Sequence, residues 1–274
     1  MATAGPETFL RHISLGDVGA AEVILPSRVW CLKILRENAR EVKCSLCHFH
    51  DCILPMVHAL EQKLSSTAEM STATKIIHLR IAQLWALLPA YCINPCDLLE
   101  GLPLLEPPLS RAIKNMRTPE LLHVICRALQ NLVGFQIIVD TANGSTSSSV
   151  TSLRTWSSGE RSVLERLAKS IMPALFKVVD GGVSPNTAQP ILDALSALSS
   201  VASSVLIDVL FKKLLQKLLE LTLAAGTTSE FEKNNHDRAV VMCELAIALV
   251  PNLTEPSIAL LYDAIKPMMT MDTN

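Results

Sequence analysis

Apolar positions along this chain recur at helical rather than alternating spacing, and the stretch from Ile76 to Pro95, IIHLRIAQLWALLPAYCINP, organises the rest. It predicts a core helix to about Leu88 that stops at Pro89 and is followed by a compact turn, because proline supplies no N–H to continue the helix. The stretch from Met242 to Pro256, MCELAIALVPNLTEP, repeats the pattern. Two such units imply stacked helical hairpins. Leu84, Trp85, Leu87, Leu88 and Pro89 are the expected structural core of the first.

Taken in order, the periodicity predicts a weak helix from Glu7 to Ile13, one entered at Leu25-Pro26-Ser27 and ending near Asn38, and one from Lys43 to Lys63. Polar residues from Glu69 to Lys75 lead into the Ile76 helix. Pro103, Pro107 and Pro108 read as a tight connection before a helix from Leu109 to Met116, and Thr118-Pro119-Glu120 opens another to Val133. The serine- and threonine-rich run from Thr141 to Ser158 reads as a flexible loop, a candidate for modification or partner binding. Helices from Glu160 to Val179, Pro185 to Ser203, Val205 to Ala224, and Asn235 or Asp237 to Pro251 follow, with Thr254 capping the last. In the third of these, Asp208, Lys212, Gln216 and Glu220 form a polar stripe so narrow that it predicts burial on several sides. About ten or eleven helices are therefore expected.

Internal prolines recur at Ile53-Leu54-Pro55, Ile171-Met172-Pro173 and Ile265-Lys266-Pro267. A proline-kinked first helix is a habit of HEAT-type repeats of roughly 40–47 residues, and Pro173 and Pro267 lie about two such units apart. The expected fold is all-α, a HEAT/armadillo-like right-handed α-solenoid of antiparallel helical hairpins. Residues 1–140 and 159–274 form its two halves, with residues 141–158 as the loop between them.

Composition supports the helical class. Of 274 residues 49% are hydrophobic, only 4% are aromatic and 10 are glycine, which favours leucine- and alanine-built helix over sheet. A formal charge of −2 and a pI near 6.4 give no overall basic field for nucleic acid. With no signal-peptide core and no uncharged run of roughly 18 residues, the chain is expected to be soluble and intracellular, with eight reduced cysteines.

Chemistry finds little to work with. Cys44-Ser-Leu-Cys47-His48 has the CxxCH form of haem attachment, and with His50 and Cys52 it offers zinc ligands. No second CxxC or HxxxH completes a site, so buried thiols on a helix face are the better reading. Cys92 and Cys96 flank a turn, but a disulfide has a low prior inside the cell. No GxxxxGK[ST], GxGxxG or GxSxG occurs, so neither a cofactor, a metal nor a catalytic residue is expected, and the chain does not read as an enzyme. Two basic stripes, Arg111, Lys114 and Arg117, and Lys212, Lys213 and Lys217, are candidate RNA phosphate contacts. Without interleaved aromatics, such contact would be weak and insensitive to sequence.

WALLPAYCINPCD, Trp85 to Asp97, followed by LLHVICRALQNLV, Leu121 to Val133, resembles the central helical region of the ribosomal RNA-processing protein 12 family. ILPMVHALEQK at Ile53, LAKSIMPALFKVV at Leu167 and MCELAIALVPNLTEPSIALLYDAIKPMM at Met242 agree in order, so the resemblance runs from about Arg40 to Met269. Members of that family are several times longer, with further repeats on both sides and a basic tail, so the resemblance implies that this chain is a central fragment or a truncated form. The resemblance implies a HEAT scaffold in the nucleus and nucleolus. Its implied partners are pre-ribosomal particles, assembly factors, rRNA and the nuclear transport machinery, and its implied roles are rRNA processing, subunit assembly and export. The alternative is a generic HEAT adaptor or transport-receptor-like protein that binds proteins alone.

Overall fold

The computed structural model describes residues 5–12, 15, 30–38, 42–66, 72–114, 119–138, 149–152, 156–183, 185–223 and 229–262. The first helices are α1 (Pro6–His12), α2 (Trp30–Asn38), α3 (Leu46–His48), α4 (Leu54–Ser66) and α5 (Thr72–Trp85). They are followed by α6 (Leu88–Tyr91), α7 (Leu98–Lys114) and α8 (Pro119–Val133). A two-stranded antiparallel hairpin pairs β1 (Phe135–Ile138) with β2 (Ser149–Ser152), Phe135 opposite Ser152. Then come α9 (Ser158–Asp180), α10 (Pro185–Ser199), α11 (Ser204–Leu223) and α12 (Ser229–Leu249), and residues 255–262 are helical as well. The chain divides into two compact units, Met1–Val163 and Leu164–Asn274, and the boundary falls within α9.

Each unit is built from helices packed on one another. In the first, α4 packs on α5, both α5 and α6 pack on α8, and α3 packs on α7. In the second, α10 and α11 both pack on α12. The core of the first unit includes Leu46, Phe49, Ile53, Leu84, Trp85, Leu88 and Tyr91, all buried. Phe49 meets the edge of Tyr91 with ring centroids 5.3 Å apart and tilts against Trp85 at 6.2 Å, so three aromatic rings from three helical segments share one site.

Prolines behave differently from the expectation set by the sequence. Pro89 does not end a helix at Leu88: α5 stops at Trp85, and Pro89 sits in the first turn of α6. That position needs no intrahelical N–H, so proline fits there without loss. Pro251 likewise lies at the start of a 3-10 turn, Val250–Asn252, directly after α12. Pro55 is accommodated by a π-helical turn, Phe49–Ile53, between α3 and α4, in which the Leu54 N–H donates to the Phe49 carbonyl.

The largest departure is α7. Pro103, Pro107 and Pro108 lie inside a 17-residue helix rather than in a connection. Leu98, Leu102, Leu105, Leu109 and Ile113 form a buried stripe at helical spacing, and their burial outweighs three lost backbone bonds. The carbonyls deprived of an i+4 donor belong to Leu99, Pro103 and Leu104, none of them buried residues, so solvent can satisfy them.

Other boundaries differ from the periodicity for local reasons. Helix α9 begins two residues before Glu160 because Ser157 and Glu160 form a capping box. The Ser157 N–H and hydroxyl donate to Glu160 Oε2 at 2.9 and 2.7 Å, and the Glu160 N–H donates to Ser157 Oγ at 3.3 Å. Helix α8 ends at Gly134 (φ 70°) and α9 is followed by Gly182 (φ 86°), both left-handed conformations that favour glycine. Within the expected loop, residues 149–152 form β2, whereas 141–148 and 153–155 lie outside the described residues, as do the expected helix entry at 25–27 and the proline motif at 265–267. Helix α11 is less enclosed than its polar stripe implied, because Val205, Val209 and Leu219 are exposed beside it.

Candidate functional site

The turn at Pro95-Cys96-Asp97 is where the first unit closes on itself. Asp97 caps the helical run that begins at α3, about fifty residues earlier in the chain. Its Oδ1 accepts from the Leu46 N–H at 2.7 Å, and its Oδ2 accepts from the Cys47 N–H at 2.9 Å and the Ser45 hydroxyl at 2.6 Å. Ser45 Oγ in turn accepts from the His48 N–H at 3.0 Å. Helix starts leave such N–H groups without intrahelical partners, and a carboxylate at that end also meets the positive pole of the dipole. Burial pushes the Asp97 carboxyl up, but the bonds from Ser45, Cys47 and Leu46 outweigh it and hold the group below its ordinary range.

Two further contacts tighten this staple. The Cys96 N–H donates to the Cys44 carbonyl at 3.0 Å, and the Ser45 N–H donates to Glu7 Oε1 at 3.0 Å, tying α1 to the same point. Gly101, four residues after Asp97, lies so close to α3 that a Cβ there would meet Leu46 Cβ at 2.5 Å and the Cys47 backbone nitrogen at 2.9 Å. Any other residue would push α7 off α3. Sequence reading singled out Asp97 within its turn, but not the partners at Ser45 to Cys47 or the role of Gly101.

A counterpart closes the second unit. Asp208 of α11 accepts from the Thr254 hydroxyl at 2.7 Å and the Thr254 N–H at 3.3 Å, at the start of the helix over residues 255–262. Thr254 was expected to cap that helix; here the cap is itself held by a carboxylate from another helix.

The cysteines gather around the first staple without making a reactive centre. Cys44 and Cys92 are buried, Cys47 is half-buried, Cys52 and Cys96 are exposed, and none is in a disulfide. Exposure of Cys52 departs from the buried-thiol reading. Burial, with Glu7 and Cys96 nearby, pushes the Cys44 thiol up to about 12, and burial with the Asp97 contact pushes Cys47 up to about 11. Such thiols stay protonated near neutral pH, which withholds the thiolate that nucleophilic chemistry requires. Among the described residues no group of three or more His, Cys, Asp or Glu side chains is placed to hold a metal ion.

His48 stacks on Tyr91 with parallel rings 6.0 Å apart, and its Nδ1 lies 3.1 Å from the Tyr91 hydroxyl. Burial, partly offset by Glu7 and Asp51, holds the imidazole below its ordinary 6.5. The unfolded chain therefore binds a proton more readily than the folded one below that value, so His48 lowers stability as pH falls through 6.5. We expect the denaturant midpoint to drop between about pH 7.5 and 5.5, and His48→Gln to flatten that slope. An unchanged slope in the variant would assign the effect elsewhere.

Of the sequence-predicted contacts, Leu84, Trp85, Leu87 and Leu88 are buried, and Pro89 is half-buried with its carbonyl accepting from Asn131 Nδ2 at 2.7 Å. Arg111 and Lys114 are exposed on α7, while Arg117 lies outside the described residues. Lys212 and Lys213 are exposed on α11. Lys217 is engaged with Glu220 at 3.2 Å and Asp180 at 3.7 Å, so it does not stand beside them as an open cation. Arg238 joins that cluster by donating to the Asp180 carbonyl at the end of α9.

Helices packed in pairs, prolines seated inside or at the start of helices, and carboxylate staples between elements some fifty residues apart are the features of an α-helical repeat protein of HEAT type. The family described as Ribosomal RNA-processing protein 12, HEAT repeats, matches residues 1–181. The chain belongs to that family. It is similar to the RRP12-like protein of Gallus gallus, 26% identical over 97% of this chain and 18% of the relative, and to that of Homo sapiens, 25% identical over 98% and 19%. The RRP12-like protein of Drosophila melanogaster is 35% identical over 47% of this chain and 9% of its own. The chain thus spans about a fifth of the length of the first two relatives.

Proposed function

We propose that this chain is a non-enzymatic scaffold segment acting in ribosomal RNA processing, associated with precursor ribosomal particles and their assembly factors in the nucleolus and nucleus. The family match over residues 1–181 carries the reading. Subunit assembly and nuclear export with the transport machinery extend it. The fold suits the role, because stacked hairpins offer long faces for partners while the interior needs no reactive group. Direct contact with RNA, on this reading, uses the exposed Lys212 and Lys213 of α11 against phosphates, with a shallow salt slope of about 0.7 per contact on single strands.

Recovery of the tagged chain from cells followed by sequencing of bound RNA tests the proposal. Precursor ribosomal RNA enriched over messenger RNA is the expected result. Recovery of proteins with no such enrichment would replace the reading by a general protein-binding HEAT adaptor.

A further inference from the structure

Lys212, Lys213 and Lys217 read as one basic stripe in sequence, but the fold divides them. Lys217 of α11 reaches Asp180 at the end of α9 at 3.7 Å, and Arg238 of α12 reaches the same carboxylate at 3.6 Å, so the three helices meet at one end of the second unit. At the other end Asp208 of α11 holds Thr254, and Ser199 of α10 accepts from Asn252 Nδ2 at 2.8 Å. Buried residues run along α9 from Leu164 to Val179, so it lies along the unit beside α11 and in the same direction. About one turn before the Asp180–Lys217 tie, each helix presents an exposed lysine. These are Lys177 of α9 and Lys213 of α11, the latter about 40° from Lys217 around its axis. The exposed Lys169 and Arg166 continue the line along α9, and with Lys177 they fall within an arc of about 80°. Lys212 lies about 100° further round α11, so it flanks this line without joining it.

Charge along this line is one-sided. From Arg166 to Val179 and from Val209 to Leu219 no acidic residue occurs, although the whole chain carries −2. Among the described residues Lys169, Lys177 and Lys213 pair with no carboxylate. Acids stand only at its ends: Glu165 one turn before Lys169, and Asp180, which Lys217 and Arg238 already engage. We infer that Lys169, Lys177 and Lys213, with Arg166, form a track for the phosphates of an RNA strand. This deepens the scaffold reading and rests on it in taking RNA as the polyanion. An acidic protein surface fits worse, because protein interfaces are built round an apolar centre and are poor in lysine. Among the described residues α9 exposes no large hydrophobic side chain at all. Lysine meets phosphate as a point charge, and Phe176 beside the line is half-buried, so no open ring is offered to a base. The track therefore grips backbone and does not read sequence.

The test titrates the full chain with labelled oligouridine over a series of salt concentrations. Four phosphate contacts on a single strand predict a log–log slope of about 3. The variant Lys169→Glu/Lys177→Glu/Lys213→Glu is expected to weaken binding at least about tenfold and to bring the slope below about 1, with an unchanged circular dichroism spectrum. Lys169→Gln/Lys177→Gln/Lys213→Gln should give an intermediate loss, and it keeps the test decisive if charge reversal disturbs folding. Lys33→Glu/Lys75→Glu/Arg127→Glu puts the same charge change on exposed residues of the first unit, and should cost less than about threefold. Oligoadenosine should bind within about threefold of oligouridine. Absence of oligouridine binding, equal losses in the two glutamate variants, or binding that neither track variant weakens would overturn the assignment. Polyglutamate binding as tightly as oligouridine would overturn it in favour of an acidic protein. Recovery of precursor ribosomal RNA with the wild-type chain from cells is read separately: its presence without oligouridine binding removes the track alone, and its absence removes the scaffold reading.

Discussion

Trp85→Ala is expected to lower unfolding stability by about 3–5 kcal/mol, the cost of removing a large side chain from a packed core. Trp85 is only 3% exposed and packs against Phe49, which also meets Tyr91, so truncation opens a void bounded by residues from three helical segments. The indole Nε1 is buried without a hydrogen-bond partner in the structure. Trp85→Phe, which removes that polar atom and keeps most of the ring, should therefore cost much less than alanine. Urea denaturation of the three proteins reads the order directly. A shift in midpoint for alanine no larger than that for phenylalanine would mean that Trp85 is not an anchor of this core.

Asp97→Ala should cost about 2–4 kcal/mol, because it strands the Leu46 and Cys47 N–H groups and the Ser45 hydroxyl together. Asp97→Asn is expected to be nearly as harmful. An amide has one acceptor oxygen where the carboxylate uses two, and its NH₂ would face a donor. The carboxyl is held below its ordinary value of 3.8, so the stability it contributes is present above that pH and is lost as pH falls through the lower folded value. Thermal melts at pH 7 and pH 3 check both points: the gap between wild type and Asp97→Asn should narrow in acid. A constant gap would show that packing, not the charged cap, carries the effect.

Different parts of this architecture were legible to different degrees, for physical reasons. The helix around Ile76 to Trp85 announces itself because core-facing apolar residues recur at the period of the element they build. In sequence, the start of helix α7 reads as a connection because its three prolines are strong local signals. The five-residue apolar stripe that overrides them shows only when the prolines are assigned to the solvent face. The β1–β2 hairpin was missed because Phe135-Gln-Ile-Ile follows a helix terminator and its partner is a serine-rich segment with weak strand character. Asp97 was visible as a turn residue, yet its partners sit at Ser45 to Cys47, and nothing in local spacing joins residues that far apart. Gly101 carried no signal at all, since its necessity comes from the nearness of another helix.

That long-range staple has a consequence for how the first unit comes apart. Arrays of repeats usually unfold piecemeal, because each hairpin answers only to its neighbours and terminal ones fray first. Here the carboxylate at the start of the α7–α8 pair completes the helix start of the α3–α4 run, and the missing Cβ of Gly101 lets the two touch. Neither the α7–α8 pair nor the α3–α4 run can open its inner end without breaking the contacts they share. The two are therefore coupled into a single cooperative block, and amide exchange in α4 and α8 is expected to report one shared opening event rather than two independent ones.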